Sequence, residues 1–142
     1  MTPNGLKVTY VDYDIILKYV TGVSEDQTQV TFVFDEFTRW VDPRLAYAGN
    51  ANVAAFYQDS RIDITQDRYN VWRPMIGYTK MDQMLNSSES MYLYPNGTIV
   101  YLRNLALTIV CDFQFQNIPS DQNQCQTVAY VLNEFSDTCA LN

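Results

Sequence analysis

The sequence predicts an all-β protein, a β-sandwich of about eight short strands with little helix. Aromatic side chains make up 14% of the 142 residues, and these residues favour the half-buried surfaces of pleated sheets. Several segments alternate apolar and polar residues with a period of two, and turn signals separate them. The length predicts one domain, which is large enough to bury a core of its own.

The first two strands are predicted in the N-terminal third of the chain. Residues 7–20 alternate, so that the even-numbered positions share one face and the odd-numbered positions share the other. A turn follows at residues 21–27, and residues 30–35 then alternate again. We expect this second strand to pair back on the first.

The middle of the chain is predicted to be less regular. Short strands are expected at residues 52–57 and 61–65. Residues 67–79 are expected to form an irregular segment, because the proline of Trp72-Arg73-Pro74 disfavours helical geometry in the residue before it. Helix is expected only as a turn near Asp67 or Met81.

A β-hairpin is predicted in the second half of the chain. Residues 90–94 and 98–110 flank Pro95-Asn96-Gly97, and Asn-Gly between two such runs is a strong hairpin signal. Residues 111–125 form a polar insert, and a last strand is predicted at residues 126–135. Both tryptophans, Trp40 and Trp72, are expected in the core.

Composition and charge exclude several classes of function. The net charge is −7 with nine basic residues, which argues against a nucleic-acid-binding surface. Histidine is absent, which excludes Ser-His-Asp and Cys-His catalysis as well as imidazole zinc sites. No apolar run approaches the roughly 20 residues of a membrane-spanning helix. We expect neither an enzyme nor a cofactor.

Neighbouring carboxylates do not predict a catalytic pair either. Asp35 and Glu36 are adjacent on a predicted strand and must point to opposite faces. Asp12 and Asp14 share a face, but we expect them to be solvated charges.

Three cysteines leave their chemistry open. Cys111 with Cys125 and Cys125 with Cys139 would close rings of the same length, and closing such a ring stabilises a fold by about 3 kcal/mol. Loop entropy therefore does not choose between them. A three-thiolate metal site is a further alternative, although a fourth ligand is not evident.

Three motifs in order resemble those of one family. Cys111 and Cys125 enclose thirteen residues that include Ile118-Pro119-Ser120-Asp121, which resembles the signature loop of Cys-loop receptors, the pentameric ligand-gated ion channels. The segment from Trp40 to Tyr47 is similar to that family's W-x-D-x-x-L-x-aromatic motif, and Trp72-Arg73-Pro74 to its W-x-P motif. The resemblance covers residues 6–135. It implies an extracellular neurotransmitter-binding domain, an immunoglobulin-like sandwich that assembles as a ring, with acetylcholine-binding proteins as soluble relatives.

The resemblance also implies a disulfide and a compartment. Cys111 is expected to pair with Cys125, which leaves Cys139 as a buried thiol or as a bridge to another chain. A disulfide predicts an oxidising, extracellular compartment, either as a secreted protein or as the outer part of a receptor. The sequons at Asn86 and Asn96 point the same way and are candidate glycosylation sites.

In this family a cationic ligand sits in a box of aromatic side chains between subunits, held by cation–π attraction. When residues are counted from these motifs, several positions of the aromatic box fall on residues that are not aromatic. The positions are Asp35, Thr79 with Tyr78 one place earlier, and Leu132 with Tyr130 on the same face. The resemblance therefore implies a degenerate site that binds small cations weakly.

The resemblance implies a single domain over residues 1–142 that lacks the family's final strands and its transmembrane region. Phe113, Phe115 and Ile118 of the signature loop would then have no membrane helices to face, and we expect them at an interface. The predicted function is an oligomer-forming homologue of the ligand-binding domain of neurotransmitter-gated channels, with a homo-oligomeric ring or receptor subunits as partners. The alternative is a structural module that assembles with receptor subunits, or with itself, without a small ligand.

Overall fold

The described residues form eight strands in two sheets, in agreement with the predicted all-β sandwich. The computed structural model describes residues 9–21, 29–50, 52, 60–111, 126–131 and 139–141. The strands are β1 Thr9–Thr21, β2 Gln29–Val41, β3 Ile62–Asp63, β4 Ile76–Tyr78, β5 Met81–Leu93, β6 Thr98–Val110, β7 Ala129–Val131 and β8 Cys139–Leu141.

The larger sheet has six strands in the order β3-β5-β6-β2-β1-β8, and the smaller sheet consists of β4 and β7. Neighbouring strands are antiparallel except β1 and β8, which are parallel. One face of the larger sheet packs against β4, β7 and the segment that leads into β4, while its other face lies outside this core. The two faces therefore carry different chemistry.

The β5–β6 hairpin is longer than predicted. Strand β6 has the predicted bounds, but β5 begins at Met81 and not at residue 90. The first residues of β5 are mostly polar and exposed, so they lack the apolar alternation of a strand. Backbone pairing to β6 holds them through two bulges. The helical turn predicted near Met81 is therefore wrong.

Other departures from the prediction are local. Short 3₁₀ helices occupy Pro43–Leu45 and Thr65–Asn70, so the turn predicted near Asp67 is confirmed. The strand predicted at residues 61–65 is only Ile62–Asp63. Strand β4 lies within the segment predicted to be irregular, because its pairing with β7 is a long-range contact that local sequence does not reveal.

Two predicted strands are only partly testable. Within residues 126–135 the strand is Ala129–Val131, and residues 132–138 lie outside the described part of the chain. The same holds for residues 53–59, which include most of the strand predicted at 52–57. Strand β8 was not predicted.

Two apolar clusters form the core. Trp40 is buried in the first cluster and packs edge-to-face on the half-buried Trp72, with ring centroids 6.2 Å apart. Phe34 packs edge-to-face on Tyr78 in the second cluster, which also contains Leu105 and Leu107. Both tryptophans therefore belong to the core or its border, as predicted.

The tip of the β5–β6 hairpin docks on the turn that follows β2. The Asp42 amide donates to the Gly97 carbonyl at 2.9 Å, and the Tyr47 amide donates to the Pro95 carbonyl at 2.9 Å. Gly97 has a φ of 89°, and a Cβ on it would lie 2.4 Å from the Asp42 carbonyl oxygen. This contact requires glycine and ties the hairpin to the N-terminal strands.

Candidate functional site

Asp35 lies on the outward face of β2, directly between β1 and β6. The Asn104 side-chain amide donates to its carboxylate at 2.9 Å, and the Lys18 ammonium lies 3.3 Å away. The hydrogen bond from Asn104, with that from Lys18, holds the pKa of Asp35 below its usual value. This position therefore carries a paired carboxylate on the sheet surface.

Tyr78 lies in β4, and its ring is buried against the larger sheet. Its hydroxyl donates to the Glu36 carboxylate, beside the hydroxyl of Tyr13. Burial first, and then the charge of Glu36, raises the pKa of both phenols. Tyr78 thus points into the sandwich.

Thr79 follows β4 and bonds to the segment that precedes β7. Its hydroxyl accepts from the Val128 amide at 2.9 Å, and its carbonyl accepts from the Thr127 hydroxyl at 2.6 Å. Tyr130 pairs with Gly77, one position away from Tyr78, so its side chain is on the opposite face of the small sheet. Tyr130 is 41% exposed, and Leu132 lies outside the described residues.

Among the predicted site positions that the structure describes, one chain does not bring Asp35 together with the other three. Tyr78 and Tyr130 belong to the small sheet, and Thr79 follows directly on its strand β4. Asp35 points away from it, because the adjacent Glu36 is the residue that faces the core and contacts Tyr78. A site made from both sets would need two chains.

The sequence alone did not reveal a buried polar row across the core face of the larger sheet. Strand register places Arg103 beside Glu36 on one side and beside Glu89 on the other. The Glu36 carboxylate is 1% exposed and lies 2.5 Å from the Arg103 guanidinium. A signal was present, since Glu36 has the same strand parity as the buried Phe34 and Trp40.

The row continues through Glu89. Its carboxylate accepts from the Tyr101 hydroxyl at 2.8 Å and is paired with Arg68. Burial, with the hydrogen bond to Glu89, raises the pKa of Tyr101 to about 12. Burial alone would raise the pKa of Glu89, but the hydrogen bonds from Tyr101 and Arg68 outweigh it and hold that pKa below its usual value.

Comparison with known proteins identifies the family. Residues 1–132 match the model of the neurotransmitter-gated ion-channel ligand binding domain. The chain belongs to this family. The match confirms the expectation drawn from the three motifs, and the family is one of ligand-gated ion channels.

Two curated proteins that the chain resembles are much longer than it. The rat gamma-aminobutyric acid receptor subunit pi is 24% identical over 110 residues, which is 75% of this chain and 24% of the relative. The pH-sensitive chloride channel 2 of Drosophila melanogaster is 30% identical over 97 residues, which is 63% of this chain and 17% of that relative. The chain therefore spans about a quarter of these relatives or less. In the described ranges of the domain, no helix has the length and apolar character to cross a membrane.

Cys111 of the domain is buried and disulfide-bonded. This bond makes the three-thiolate metal site wrong, because a disulfide sulfur is not a thiolate. Cys125 lies outside the described residues, as do Phe113, Phe115 and Ile118 of the predicted interface. The pairing of Cys111 with Cys125 stays a prediction.

The two sequons of the domain lie at exposed positions. Asn96 is exposed at the hairpin tip, where its side-chain oxygen accepts from the Thr98 amide at 3.0 Å. Asn86 is exposed beside a bulge of β5, and its side-chain amide donates to Glu89. Glycosylation at both positions stays a prediction.

Proposed function

We propose that this chain is an extracellular ligand-binding domain that assembles with like subunits into a pentamer-like ring and whose site for small cationic ligands is degenerate. The family match supports the domain type, and the disulfide at Cys111 fits an oxidising compartment. The observation that supports a degenerate site is the environment of Asp35.

Asp35 occupies the position that the family motif gives to an aromatic wall of the box. Its carboxylate is held by Asn104 and Lys18, so it offers neither a ring face nor an unpaired charge to a ligand. Tyr78, from the other side of the box, is turned into the core with its hydroxyl on Glu36. These two placements support a weak site, because cation–π attraction needs an open ring face.

Calorimetric titration tests this proposal on the assembled protein. We expect dissociation constants no tighter than about 1 mM for acetylcholine-like cations, which corresponds to about −4 kcal/mol of binding free energy. Gamma-aminobutyrate serves as a second ligand, since a relative is named for it. Nanomolar affinity for either ligand would show that the site is intact.

Restoring the missing ring gives a sharper version of this test. Asp35→Trp is expected to tighten the binding of a quaternary ammonium ion about 2- to 30-fold, because a cation–π contact contributes about 0.5–2 kcal/mol. Asp14→Trp is the matched control, as Asp14 is also an acidic residue on the outward face, one strand away. Equal gains in the two variants would count against a site at Asp35.

The exposed apolar side chains of β1 support the alternative function, a module that assembles without a small ligand. Five of its apolar side chains are about half exposed, namely Ile15, Ile16, Leu17, Tyr19 and Val20. Ile16 and Tyr19 pair with outward-facing residues of β2, and the other three pair with residues of its core face, so exposed apolar surface lies on both faces of this strand. Exposed apolar surface of this kind is typical of an interface. A module that associates through this strand needs no small ligand.

Sedimentation velocity tests assembly directly. We expect oligomers at micromolar concentration, and Leu17→Asp is expected to lower their order while near-UV circular dichroism stays unchanged. Thr31→Asp is the control on the neighbouring strand. A strict monomer of the unmodified chain would remove both the ring and the assembly module.

A further inference from the structure

The tip of the β5–β6 hairpin carries a dipeptide that is prone to chemical modification. Asn96 is exposed to solvent, and Gly97 follows it directly. Asparagine deamidates fastest when glycine follows it, because glycine has no Cβ to shield its amide nitrogen. The hairpin tip is therefore a candidate site of spontaneous deamidation.

This reaction needs only the two residues and water. The amide nitrogen of Gly97 attacks the side-chain carbonyl carbon of Asn96, Cγ, and a new C–N bond forms. The bond between Cγ and Nδ2 breaks, and Nδ2 leaves as ammonia with the proton that the Gly97 amide gives up. Water then opens the succinimide ring that has formed. Opening at one ring carbonyl gives aspartate, and opening at the other gives isoaspartate.

The folded tip restrains both reacting groups. The Gly97 amide donates to the Tyr94 carbonyl at 3.0 Å. The side-chain oxygen of Asn96 accepts from the Thr98 amide, also at 3.0 Å. Gly97 is buried although its neighbour Asn96 is exposed. The turn must therefore open before the Gly97 nitrogen can attack, and the rate in the folded protein depends on how often it opens.

The tip is also tied to the turn that follows β2. The Pro95 carbonyl accepts from the Tyr47 amide at 2.9 Å. The Gly97 carbonyl accepts from the Asp42 amide, also at 2.9 Å. These two carbonyls belong to the residues on either side of Asn96. Both bonds form because the main chain between them has its normal length.

Isoaspartate at position 96 changes this length. Its main chain passes through Cβ and Cγ, which adds one carbon atom, and the carboxylate on Cα becomes the side branch. Aspartate adds the same negative charge but leaves the main chain unchanged. A Cβ on Gly97 would already lie 2.4 Å from the Asp42 carbonyl oxygen, so the tip has no space for a displaced main chain. Isoaspartate is therefore incompatible with the docked tip.

We propose that Asn96 is a site of spontaneous conversion to isoaspartate and that this conversion releases the hairpin tip from the turn after β2. Opening of the tip sets the rate, and the longer main chain of the product prevents the tip from docking again. A glycan on Nδ2 would keep that nitrogen from leaving as ammonia. The reaction therefore belongs to molecules that carry no glycan at Asn96.

Peptide mapping by mass spectrometry measures the rate, on the full chain from a host that does not glycosylate it. The chain contains Pro-Asn-Gly twice, at residues 3–5 and 95–97, so Asn4 is an internal standard in concentrated urea. There we expect Asn4 and Asn96 to deamidate at the same rate. In the folded protein Asn96 should react about tenfold or more slowly than in urea. It should still react faster than the exposed Asn70, which precedes the β-branched Val71.

Hydrogen exchange of the Asp42 and Tyr47 amides measures the docking. In the isoaspartate form we expect both amides to exchange about tenfold or more faster than in fresh protein, because they lose their acceptors at the tip. Asn96→Asp is the matched control, since it adds the charge without the extra carbon atom, and it should keep both amides protected. Asn96→Gln should keep them protected and stay unmodified, because its longer side chain would have to form a larger ring.

Each of four results would overturn the proposal. Asn96 that stays intact in the folded protein while Asn4 reacts in urea would show that the tip does not open far enough. Equal rates for Asn96 in the folded protein and in urea would show that docking does not control the reaction. Asp42 and Tyr47 amides that stay protected in the isoaspartate form would show that the tip accommodates the extra carbon atom. Loss of this protection in Asn96→Asp would assign the release to charge and not to main-chain length.

Discussion

Glu36 is a charged residue that is buried in the core, with 1% of its surface exposed. A carboxylate is costly to bury unless hydrogen bonds and an opposite charge compensate it. Here one oxygen faces the Nε and Nη2 atoms of Arg103 at 2.7 and 2.5 Å, and the other accepts from the hydroxyls of Tyr13 and Tyr78. The four donors come from three other strands, so this one residue links both sheets.

We expect Arg103→Met to lower the free energy of unfolding by about 3–5 kcal/mol, because it leaves a buried charge without its partner. Arg39→Met is the matched control. This variant breaks an exposed ion pair with Asp12 on the outward face. We expect it to lower the free energy of unfolding by about 0–1 kcal/mol. Urea denaturation measures both, and similar losses in the two variants would show that Glu36 does not depend on Arg103.

The same cluster predicts a loss of stability at high pH. The pKa of Tyr13 and of Tyr78 is raised in the folded state, so each phenol stabilises the fold fully below the unfolded pKa of about 10. Above pH 10 the unfolded chain releases these protons first, and stability falls by at most about 1.4 kcal/mol per pH unit for each phenol. Urea unfolding between pH 9 and 11 should show a shallower decline for Tyr78→Phe than for the unmodified chain. An identical slope would contradict the expectation.

At the scale of elements, the β5–β6 hairpin organises the larger sheet. It pairs with β2 along the whole length of β6, and its tip docks on the turn after β2. This contact between the hairpin tip and the turn depends on Gly97, because a side chain at that position would clash with the backbone of Asp42. A backbone contact of this kind cannot be relieved by a change of rotamer.

Gly97→Ala is therefore expected to lower the free energy of unfolding by about 1–3 kcal/mol or more, because the residue has a positive φ and lies close to Asp42. Gly49→Ala serves as the control, because a Cβ there has no atom within 4 Å among the described residues. That variant should change stability by less than about 0.5 kcal/mol. Thermal denaturation separates the two, and equal melting temperatures would show that the hairpin tip can move away.

At the scale of the whole molecule, the disulfide at Cys111 follows directly on β6, the strand at the centre of the larger sheet. A cross-link at this point restricts the unfolded chain while the sheet stays unchanged. The pairing implied by the family motif joins it to Cys125, just ahead of the segment that leads into β7.

We expect Cys125→Ser to lower the free energy of unfolding by about 3 kcal/mol, the value for a ring of about 15 residues. Cys139→Ser should have a much smaller effect. Peptide mapping by mass spectrometry without reduction checks the pairing itself. A peptide that joins Cys111 to Cys139 would contradict the implied ring and would exchange the roles of the two variants.

The sequence by itself determined the all-β class, the bounds of β6, the hairpin turn and the family motifs. These features depend on local alternation, on turn chemistry and on fixed spacings, which are readable along the chain. Tertiary structure alone decided the first half of β5, strand β4 and the placement of Glu36 beside Arg103, Tyr13 and Tyr78. Each of these depends on partners between 14 positions (Glu89 and Arg103) and 67 positions (Glu36 and Arg103) away, and strand register brings these side chains together across separations that the alternation of residues along the chain does not encode.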